Sequence, residues 1–450
     1  MDWEEIKAVG VIGLGRSGLS VVDFLLAQGK RVVGFEENSS SPSLSYLKKT
    51  FPQVELKTGA LSEWHCATRF VDLDLLVVSP GIDCRQAFFT QWKSLGKPIC
   101  GDVELFCRFS QSQIIAVSGS NGKSTVVTLI ANSLVAIEES VSLAGNIGRP
   151  VLDLLKMPES KYTVLELSSF QLETLSSLQG HVAVVVNYSP DHLDRYETYN
   201  DYVATKNRIY DRARASLVNV DQPECLPTQM GGDCITFSIE GEANYRLQNN
   251  GNEINLMRGN DVLCCDDALA LKGPHHFQNA LVVFAVMDAL GKPIEGALTA
   301  LAAFSGLSHR CEYVTTLHGV SWFNDSKATN EGATIAAIRS LRSQCSGNLV
   351  LIAGGDAKGG EFQQLVSELQ NSIAHVVLLG RDRDWMRKIF SPHVAVTMVE
   401  SMQDAVKTAS SIALAGDSVL LSPACSSLDM FDNFEHRGDV FTDCVQGLMI

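Results

Sequence analysis

The chain has 450 residues, which is too many for one ordinary hydrophobic core and predicts roughly three domains. Hydrophobic residues make up 45% of the chain and charged residues 19%, as is typical of a globular protein, and the net charge is −15. This negative charge argues against a nucleic-acid-binding protein, because binding to a phosphate backbone requires clustered cations.

The first seven residues, MDWEEIK, are acidic where a secretory signal would be basic. No apolar run is long enough to cross a membrane, so we expect a cytoplasmic protein without membrane contact. The twelve cysteines show no CxxC pair and no metal-ligand spacing. We interpret them as scattered thiols without a function.

The N-terminal region begins with an apolar strand at 8–13, continues through Gly13, Gly15 and Gly18 into a helix, and reaches a second strand at 31–35. This order predicts a Rossmann-like domain. The glycine spacing, with Glu36 about twenty residues later, also fits a nicotinamide-dependent oxidoreductase. That motif is weak when it stands alone, so the alternative stays open.

The central region begins with IIAVSGSNGKSTVVTLIANSL, residues 114–134, which predicts a strand, a glycine turn and a helix. Val117 occupies the place of the first glycine in the usual phosphate loop, but the Gly-Lys-Ser-Thr run still predicts phosphate binding at a helix N-terminus. Lys123 would neutralise the terminal phosphates of ATP, and Ser124 or Thr125 would bind Mg²⁺. The predicted ATP-binding residues of the turn are Gly119, Ser120, Asn121, Gly122, Lys123, Ser124 and Thr125.

Polar residues follow two further apolar strands of this region. Glu166 comes after YTVL, and Asp191, His192 and Asp194 come after VAVVVN. Ligands bind at the carboxyl ends of parallel strands, so these side chains are candidate magnesium ligands. A lone acid at a strand end can instead cap a helix.

Lys206 shares a helical stripe with Tyr199, Val203 and Tyr210. An aromatic stripe usually faces a core, and burial lowers the pKa of an amine. A neutral amine can react with CO₂ to form a carbamate, which would be an anionic ligand for a metal ion. The alternative is a lysine that faces solvent.

The whole pattern predicts an α/β protein of three domains. We expect a Rossmann-like domain at 1–98, a central P-loop-type ATPase domain at 99–307 and a Rossmann-like domain at 308–450. The central domain should have a mainly parallel sheet and a small antiparallel excursion at 221–265. Two short linkers between three domains suggest that the outer domains close on the central one to exclude water.

Four central motifs resemble the Mur ligases of peptidoglycan synthesis: SGSNGKST (118–125), LELSSFQLE (165–173), DHLDRY (191–196) and ATKNRIY (204–210). Three C-terminal motifs resemble the branch of that family that adds D-glutamate to UDP-N-acetylmuramoyl-L-alanine. These are NDSKATN (324–330), GGDAKGG (354–360) and LLSPACSSLDMFDNFEHRGDVF (420–441). The resemblance implies a monomeric ATP-dependent amide ligase that uses two Mg²⁺ ions and an acyl-phosphate intermediate.

The resemblance also implies roles for individual residues. Lys123, His192 and Lys206 would be catalytic, and Ser124, Glu166, His192 and carbamylated Lys206 would bind the metal ions. Asn279, Arg310 and Asp325 would bind the adenine, phosphate and ribose of ATP. The UDP-substrate would contact Gly15, Arg16, Ser17, Asn146 and His192. D-Glutamate would contact Lys327, Thr329, Lys358, Ser422 and Phe431.

Two stretches depart from the family pattern. His275-His276 replaces the usual His-Asn pair before Asn279, and GFEEN (34–38) lacks a threonine-arginine pair that some members use on the uridine phosphate. Glu36 and Glu37 would repel that phosphate unless they point away. A folylpolyglutamate synthetase, the next ligase of the wall pathway, or an inactive relative that acts as a binding module are the alternatives within this resemblance.

Overall fold

The structure, a computed structural model, describes residues 2–63, 70, 72–191, 195–227, 229–251, 253–342, 345 and 347–449. Its strands form three separate sheets, one in each predicted domain. The predicted three-part α/β architecture is therefore confirmed. No helix in these described ranges is long and apolar enough to cross a membrane.

The N-terminal sheet is entirely parallel, as the short and buried apolar strands at its centre predict. Its strands are β1 (Ala8–Ile12), β2 (Arg31–Glu36), β3 (Glu55–Thr58), β4 (Leu75–Val78) and β5 (Ile99–Cys100). Their order is β3-β2-β1-β4-β5. The helices are α1 (Arg16–Ala27), α2 (Pro42–Thr50) and α3 (Ala87–Ser94), and α4 (Asp102–Phe109) leads to the central domain.

The central sheet has nine strands and combines a parallel part with an antiparallel edge. Its strands are β6 (Gln113–Ser118), β7 (Val141–Gly145), β8 (Tyr162–Glu166), β9 (Val182–Val185), β10 (Ala215–Asn219), β11 (Asp233–Ser238), β12 (Tyr245–Asn249), β13 (Ile254–Arg258) and β14 (Asp261–Cys265). Their order is β14-β13-β12-β11-β10-β9-β6-β8-β7. The predicted antiparallel excursion is found at β12, β13 and β14, whereas β11 pairs in parallel with both of its neighbours.

Helices flank the central sheet. They are α5 (Lys123–Ala136), α6 (Ser169–Glu173), α7 (Tyr199–Asn207), α8 (Pro274–Ala289) and α9 (Glu295–Ala303). Short 3-10 helices lie at Leu61–Glu63, Val151–Lys156, Arg208–Tyr210, Pro223–Cys225, Asp266–Ala268 and Gly447–Met449. Both α6 and α7 begin with a capping box, at Ser168 with Gln171 and at Thr198 with Asp201, which fixes where each helix starts.

The C-terminal sheet has six strands and is parallel except for its first hairpin. Its strands are β15 (Glu312–Leu317), β16 (Val320–Asn324), β17 (Leu349–Gly354), β18 (His375–Leu379), β19 (Ala395–Met398) and β20 (Ser418–Leu421), in the order β15-β16-β20-β17-β18-β19. The helices are α10 (Glu331–Arg342), α11 (Gln363–Ser372), α12 (Arg383–Phe390), α13 (Met402–Ile412) and α14 (Phe434–Gln446).

The hydrophobic cores are not divided strictly by domain. One apolar cluster, here called the shared cluster, joins N-terminal residues such as Val11 and Leu25 to central residues such as Leu152 and Leu165. The two clusters of the C-terminal domain contain only residues from that domain. The N-terminal and central domains are therefore packed together like parts of one core, while the C-terminal domain has a core of its own.

Candidate active site

The turn between β6 and α5 has the geometry of a phosphate-binding turn. Gly119 and Gly122 have φ angles of 149° and 79°, which disfavour any residue with a Cβ. Lys123 donates from Nζ to the carbonyl oxygens of Gly119 (2.7 Å) and Ser120 (2.9 Å), and burial lowers its pKa. Because the turn also opens a helix, its N–H groups and Lys123 together favour an anion here.

The other predicted residues of the turn are held by the neighbouring strand end and helix. The Ser120 hydroxyl shares a hydrogen bond of 2.8 Å with the Tyr202 hydroxyl, and the Asn121 N–H donates to Asn187 Oδ1 at 2.9 Å. Thr125 is buried in the first turn of α5. These bonds fix the backbone of the turn rather than leave it to fold around a ligand.

Four predicted residues meet beside this turn. Ser124 donates from Oγ to Glu166 Oε2 at 2.5 Å and accepts from Arg310 Nη2 at 2.5 Å. Asn146 donates from Nδ2 to Glu166 Oε1 at 2.8 Å. Glu166 and Ser124 are only 1% and 3% exposed. The contact brings Arg310, from the start of the C-terminal domain, onto the phosphate turn of the central domain.

The donor set beside the turn suits one hard cation. A carboxylate and a hydroxyl in direct contact are oxygen ligands of the kind that Mg²⁺ prefers. Among the residues that the structure describes, no group of three or more acidic, histidine or cysteine side chains forms a ready metal cluster. His192 lies outside the described residues, as does Asp194. A second metal site that includes His192 therefore stays a prediction.

Lys206 is buried at the centre of this arrangement, on α7. Its side chain is 2% exposed, its Nζ donates to the Gly119 carbonyl at 2.9 Å, and it lies 4.7 Å from the centroid of the Tyr202 ring. Burial holds the pKa of this amine well below its usual value, and the charge of Lys123 lowers it further. Asp191 and Glu166 oppose that shift. The alternative of a lysine that faces solvent is wrong.

Two predicted residues of the C-terminal domain lie at neighbouring strand ends. Ser422 donates from Oγ to Asp325 Oδ2 at 2.7 Å, and the Cys311 N–H donates to Asp325 Oδ1 at 3.1 Å. Burial raises the pKa of Asp325 to about 7. Ser422 is fully buried and also reaches Thr334 Oγ1 at 3.1 Å. The Ser422 hydroxyl is thus engaged within the protein.

Lys327 contacts a residue that the sequence interpretation did not include. Its Nζ lies 3.8 Å from the centroid of the Phe434 ring, and burial lowers its pKa to about 8. The predicted residue Phe431 instead packs its ring against His436, at 5.7 Å between centroids. Of the two phenylalanines, Phe434 is the one placed beside a predicted ligand-binding lysine.

The last two predicted amino-acid ligands lie in turns. Thr329 is half-buried, and its N–H donates to the Lys327 carbonyl at 2.9 Å. Lys358 is exposed in the loop after β17, with a positive φ of 47°, and its N–H donates to Asp356 Oδ1 at 3.0 Å. An exposed lysine in such a loop is free to move toward a ligand.

Asn279 lies on α8 behind the phosphate turn. A Cβ on Gly122 would come within 2.9 Å of its Oδ1, so the two are in close contact. The His275 and His276 rings have centroids 3.9 Å apart and are tilted by 46° to each other, and burial lowers their pKa values to about 4 and 3. Both rings are therefore neutral at pH 7. Asn279 and His276 line a small pocket with Leu129, Leu269, Leu271, Leu301 and Phe304.

The chain is similar in sequence to ligases of known name. The chain is 40% identical over 441 residues to the UDP-N-acetylmuramoylalanine–D-glutamate ligase of Coxiella burnetii, covering 97% of this chain and 98% of that protein. It is 41% identical over 445 residues to the ligase of the same name from Pseudomonas aeruginosa, covering 97% of both chains. The chain belongs to the Mur ligase family.

Family models match all three domains of this Mur ligase. The MurD-like N-terminal domain matches residues 7–101, the Mur ligase middle domain matches 117–287 and the glutamate ligase domain matches 309–425. The predicted family and its ligase class are therefore confirmed. The nicotinamide-dependent oxidoreductase is wrong, since the glycine turn belongs to a MurD-like domain.

Solved structures of the family share the fold. MurF ligase from Thermotoga maritima, solved in complex with ADP, has a TM-score of 0.63 at 16% identity, with 99% of this chain and 97% of that chain covered. UDP-N-acetylmuramate-alanine ligase MurC from the same organism has a TM-score of 0.62 at 17% identity, with 99% and 100% covered. At this identity the likeness confirms the three-domain fold alone.

In this Mur ligase the N-terminal glycine turn faces the central domain. Gly15 and Arg16 are exposed, and Arg16 Nη2 donates to the Gly148 carbonyl at 3.2 Å. Ser17 lies beside the buried Asp102. The Glu36 carboxylate does not point away, because it accepts from the Leu14 N–H at 2.9 Å. Its charge disfavours a phosphate at that spot and favours a hydroxyl or N–H donor.

Two features of the Mur ligase site were missed by sequence reasoning. Phe434 lies inside the quoted motif at 420–441, three residues after Phe431, but nothing in the sequence distinguishes the two. Arg195 stands inside the quoted motif DHLDRY and was given no role, yet it is buried and contacts the N-terminal domain. A buried arginine needs partners, and only the folded chain shows which ones it has.

Proposed function

We propose that this protein is an ATP-dependent ligase that adds D-glutamate to UDP-N-acetylmuramoyl-L-alanine. This reaction would supply peptidoglycan precursors, and through them cell shape and division, from a monomer in the cytoplasm. The observation that carries the proposal is the bond of Arg310 to Ser124, which in turn donates to Glu166, because it joins the family's phosphate turn to its glutamate ligase domain. The names of the relatives supply the two substrates.

The chemistry needs strong positive charge beside the reacting groups. A free carboxylate is a poor electrophile and repels the phosphates of ATP. In the proposed reaction the substrate carboxylate takes the γ-phosphoryl group, releases ADP and becomes an acyl phosphate, and the D-glutamate amine then displaces phosphate. Lys123 and Arg310 are placed to stabilise the charge on the transferring group.

Ser124 and Glu166 would hold one magnesium ion, and His192 with carbamylated Lys206 would hold a second. Bound there, Mg²⁺ would neutralise phosphate charge and orient the triphosphate. Without the carbamate, Lys206 Nζ donates to the Gly119 carbonyl. The burial that lowers its pKa favours the neutral form that reacts with CO₂.

The remaining predicted contacts are part of the proposal. Asn279 and Asp325 would bind the nucleoside of ATP, and Asn146 with Gly15, Arg16, Ser17 and His192 would bind the UDP-substrate. D-Glutamate would bind Lys327, Thr329, Lys358, Ser422 and Phe431. The domain limits of 1–98, 99–307 and 308–450 belong to the proposal too. The sheets span 8–100, 113–265 and 312–421.

The proposed reaction is tested by measuring phosphate release with the UDP-substrate and one amino acid at a time. We expect release with D-glutamate and little or none with L-glutamate, D-aspartate, meso-diaminopimelate or L-lysine. A preference for meso-diaminopimelate or L-lysine would assign the protein to another step of wall synthesis. No ADP with any of them would refute the ligase.

The carbamate is tested with Lys206→Ala. We expect turnover to fall by about 10²–10³-fold, as when a charged group at a reaction centre is removed. Added formate or acetate should restore part of it, because the cavity left by the side chain can accept a carboxylate. Lys156→Ala, which removes an exposed lysine paired with Asp153, is the matched control. Full activity of Lys206→Ala would exclude the carbamate.

A further inference from the structure

Arg195 is the most heavily bonded arginine between the N-terminal and central domains among the described residues. It is 8% exposed and follows Asp191 by four positions in the central domain. Its Nη2 donates to the Ile82 carbonyl at 2.9 Å, and its Nη1 donates to the Pro80 carbonyl at 3.3 Å. Both carbonyls lie in the turn after β4 of the N-terminal domain.

The other edge and one face of the Arg195 guanidinium are fixed from within the central domain. Its Nη2 donates to Glu173 Oε2 at 2.6 Å and its Nε donates to Glu173 Oε1 at 3.3 Å. The guanidinium carbon lies 4.3 Å from the centroid of the Phe170 ring. Tyr196 also donates to Glu173 Oε1, at 2.7 Å. A planar group held on two edges and one face has little freedom to rotate.

The elements that Arg195 joins lead to the two ends of the proposed substrate site. Glu173 ends α6, the helix that follows β8 and its last residue Glu166. On the other side, Pro80 follows Ser79, whose Oγ donates to the Gly13 carbonyl at 2.7 Å in the glycine turn. A short chain of bonded groups therefore runs from the reaction centre to the glycine turn, with Arg195 in the middle.

We propose that Arg195 is a positioning residue that sets the distance between the glycine turn and the reaction centre, so that both ends of one long substrate bind in register. The inference rests on the proposed function, in which the nucleotide end of the substrate lies in the N-terminal domain and its carboxylate lies in the central domain. Arg195 touches neither ATP nor the reacting carboxylate in this proposal. Its effect is on how the two subsites are placed relative to each other.

This role predicts a specific pattern of defects in Arg195→Lys. Lysine keeps a charge that can pair with Glu173, but its compact ammonium cannot reproduce the planar fork that bonds Glu173 along one edge and the Pro80 and Ile82 carbonyls along the other. We expect kcat/KM for the UDP-substrate to fall about ten- to a hundredfold, since a small misplacement of reacting groups costs that much. The KM for ATP should stay unchanged, and so should the inhibition constant of UDP alone, because each occupies one domain only.

Arg208→Lys is the matched control. Arg208 donates to the carbonyl oxygens of Glu173 (2.9 Å) and Leu175 (2.8 Å), so it binds the same segment, but both bonds stay within the central domain. We expect it to leave kcat/KM for the UDP-substrate within about threefold of the native value. Glu173→Gln, which loosens Arg195 without removing it, should show a smaller defect of the same pattern and replaces Arg195→Lys if that variant does not fold.

Three results would overturn the proposal. The first is an unchanged kcat/KM for the UDP-substrate in Arg195→Lys. The second is a loss of UDP binding as large as the loss of kcat/KM. The third is a rise in the KM for ATP of that same size, which would indicate general damage to the fold. The native protein is assayed in parallel with D-glutamate. If the native protein itself shows no turnover, the proposed function fails, whereas a fully active variant beside an active native protein refutes only the role of Arg195.

Discussion

The two interfaces between neighbouring domains, here called joints, are built differently. The N-terminal and central domains share one apolar cluster and are bonded across by Arg195 and Arg16. Ser20 adds a bond to Asp153 at 2.9 Å. The central and C-terminal domains share no apolar cluster among the described residues, and the side-chain bonds that join them include Arg310 to Ser124 and Asn330 Nδ2 to Asp191 at 3.0 Å.

This difference suggests that the joint between the N-terminal and central domains is stable by itself, whereas the joint between the central and C-terminal domains depends on ligands. Apolar contact is strong without any ligand, whereas a few polar bonds between domains add little net stability, because each replaces bonds to water. Sequence reasoning expects both outer domains to close on the central one. The structure favours movement of the C-terminal domain alone, with the nucleotide completing the polar joint. The following variants test that comparison.

The largest effect is expected from truncating the shared cluster. Leu152→Ala removes a fully buried side chain beside the N-terminal domain. It should lower the free energy of unfolding of the joined N-terminal and central domains by about 2–5 kcal/mol. In calorimetry it should lower a single transition that contains the N-terminal and central domains together. Leu369→Ala, the same change in the C-terminal core, should lower only the transition of that domain. Independent unfolding of the N-terminal domain would contradict the distinction between the joints.

A smaller effect, and one on binding, is expected from Arg310→Ala. It removes the bond to Ser124 and a cation beside the proposed phosphate site, so the KM for ATP should rise about ten- to a hundredfold. The unfolding temperatures should barely change. Arg339→Ala, which removes an exposed arginine paired with Glu368 inside the C-terminal domain, is the control. Energy transfer between labels on the two domains should show closure with ATP in the control and little in Arg310→Ala. If Arg310→Ala closes at the same ATP concentration as the native protein, the joint does not depend on this bond.

A pH dependence is expected within the C-terminal domain, which supplies one side of the polar joint. Burial raises the pKa of Asp325 from 3.8 to about 7, so the folded C-terminal domain holds a proton there that the unfolded chain has lost. Its free energy of unfolding should therefore fall as the pH rises from about 4 to about 7, and then level off. Asp325→Asn mimics the protonated form and should lack this fall. The free energy of unfolding of both proteins is measured by denaturation at pH 5 and pH 8. The same change between the two pH values in the native protein and in Asp325→Asn would contradict the raised pKa of Asp325.

Sequence reasoning located the strands and turns of the site well, because parallel strands bring their carboxyl ends to one edge. Ser124, Glu166 and Arg310 are far apart along the chain, yet the strand-end rule and the family motifs placed them in one site, where the structure finds them in contact. The burial of Lys206 was equally predictable, since its helical stripe is aromatic.

What the sequence could not supply is the choice among side chains across a packing contact. Phe431 and Phe434 stand three positions apart, but the start of α14 between them turns only Phe434 toward Lys327. Glu36 faces the glycine turn because the Leu14 N–H needs an acceptor, a requirement that appears only when the loop is folded. The bonds of Arg195 likewise depend on two domains meeting.

The crevice gathers like charges inside an acidic protein. Lys123, Lys327 and Arg310 lie there; burial lowers the pKa values of the two lysines, and the charge of Arg310 lowers both further. A triphosphate would relieve that repulsion and raise those pKa values, so ATP should draw protons from solution as it binds. The heat of binding would then vary with the ionisation enthalpy of the buffer, which makes the electrostatic cost of this crevice measurable in a titration calorimeter.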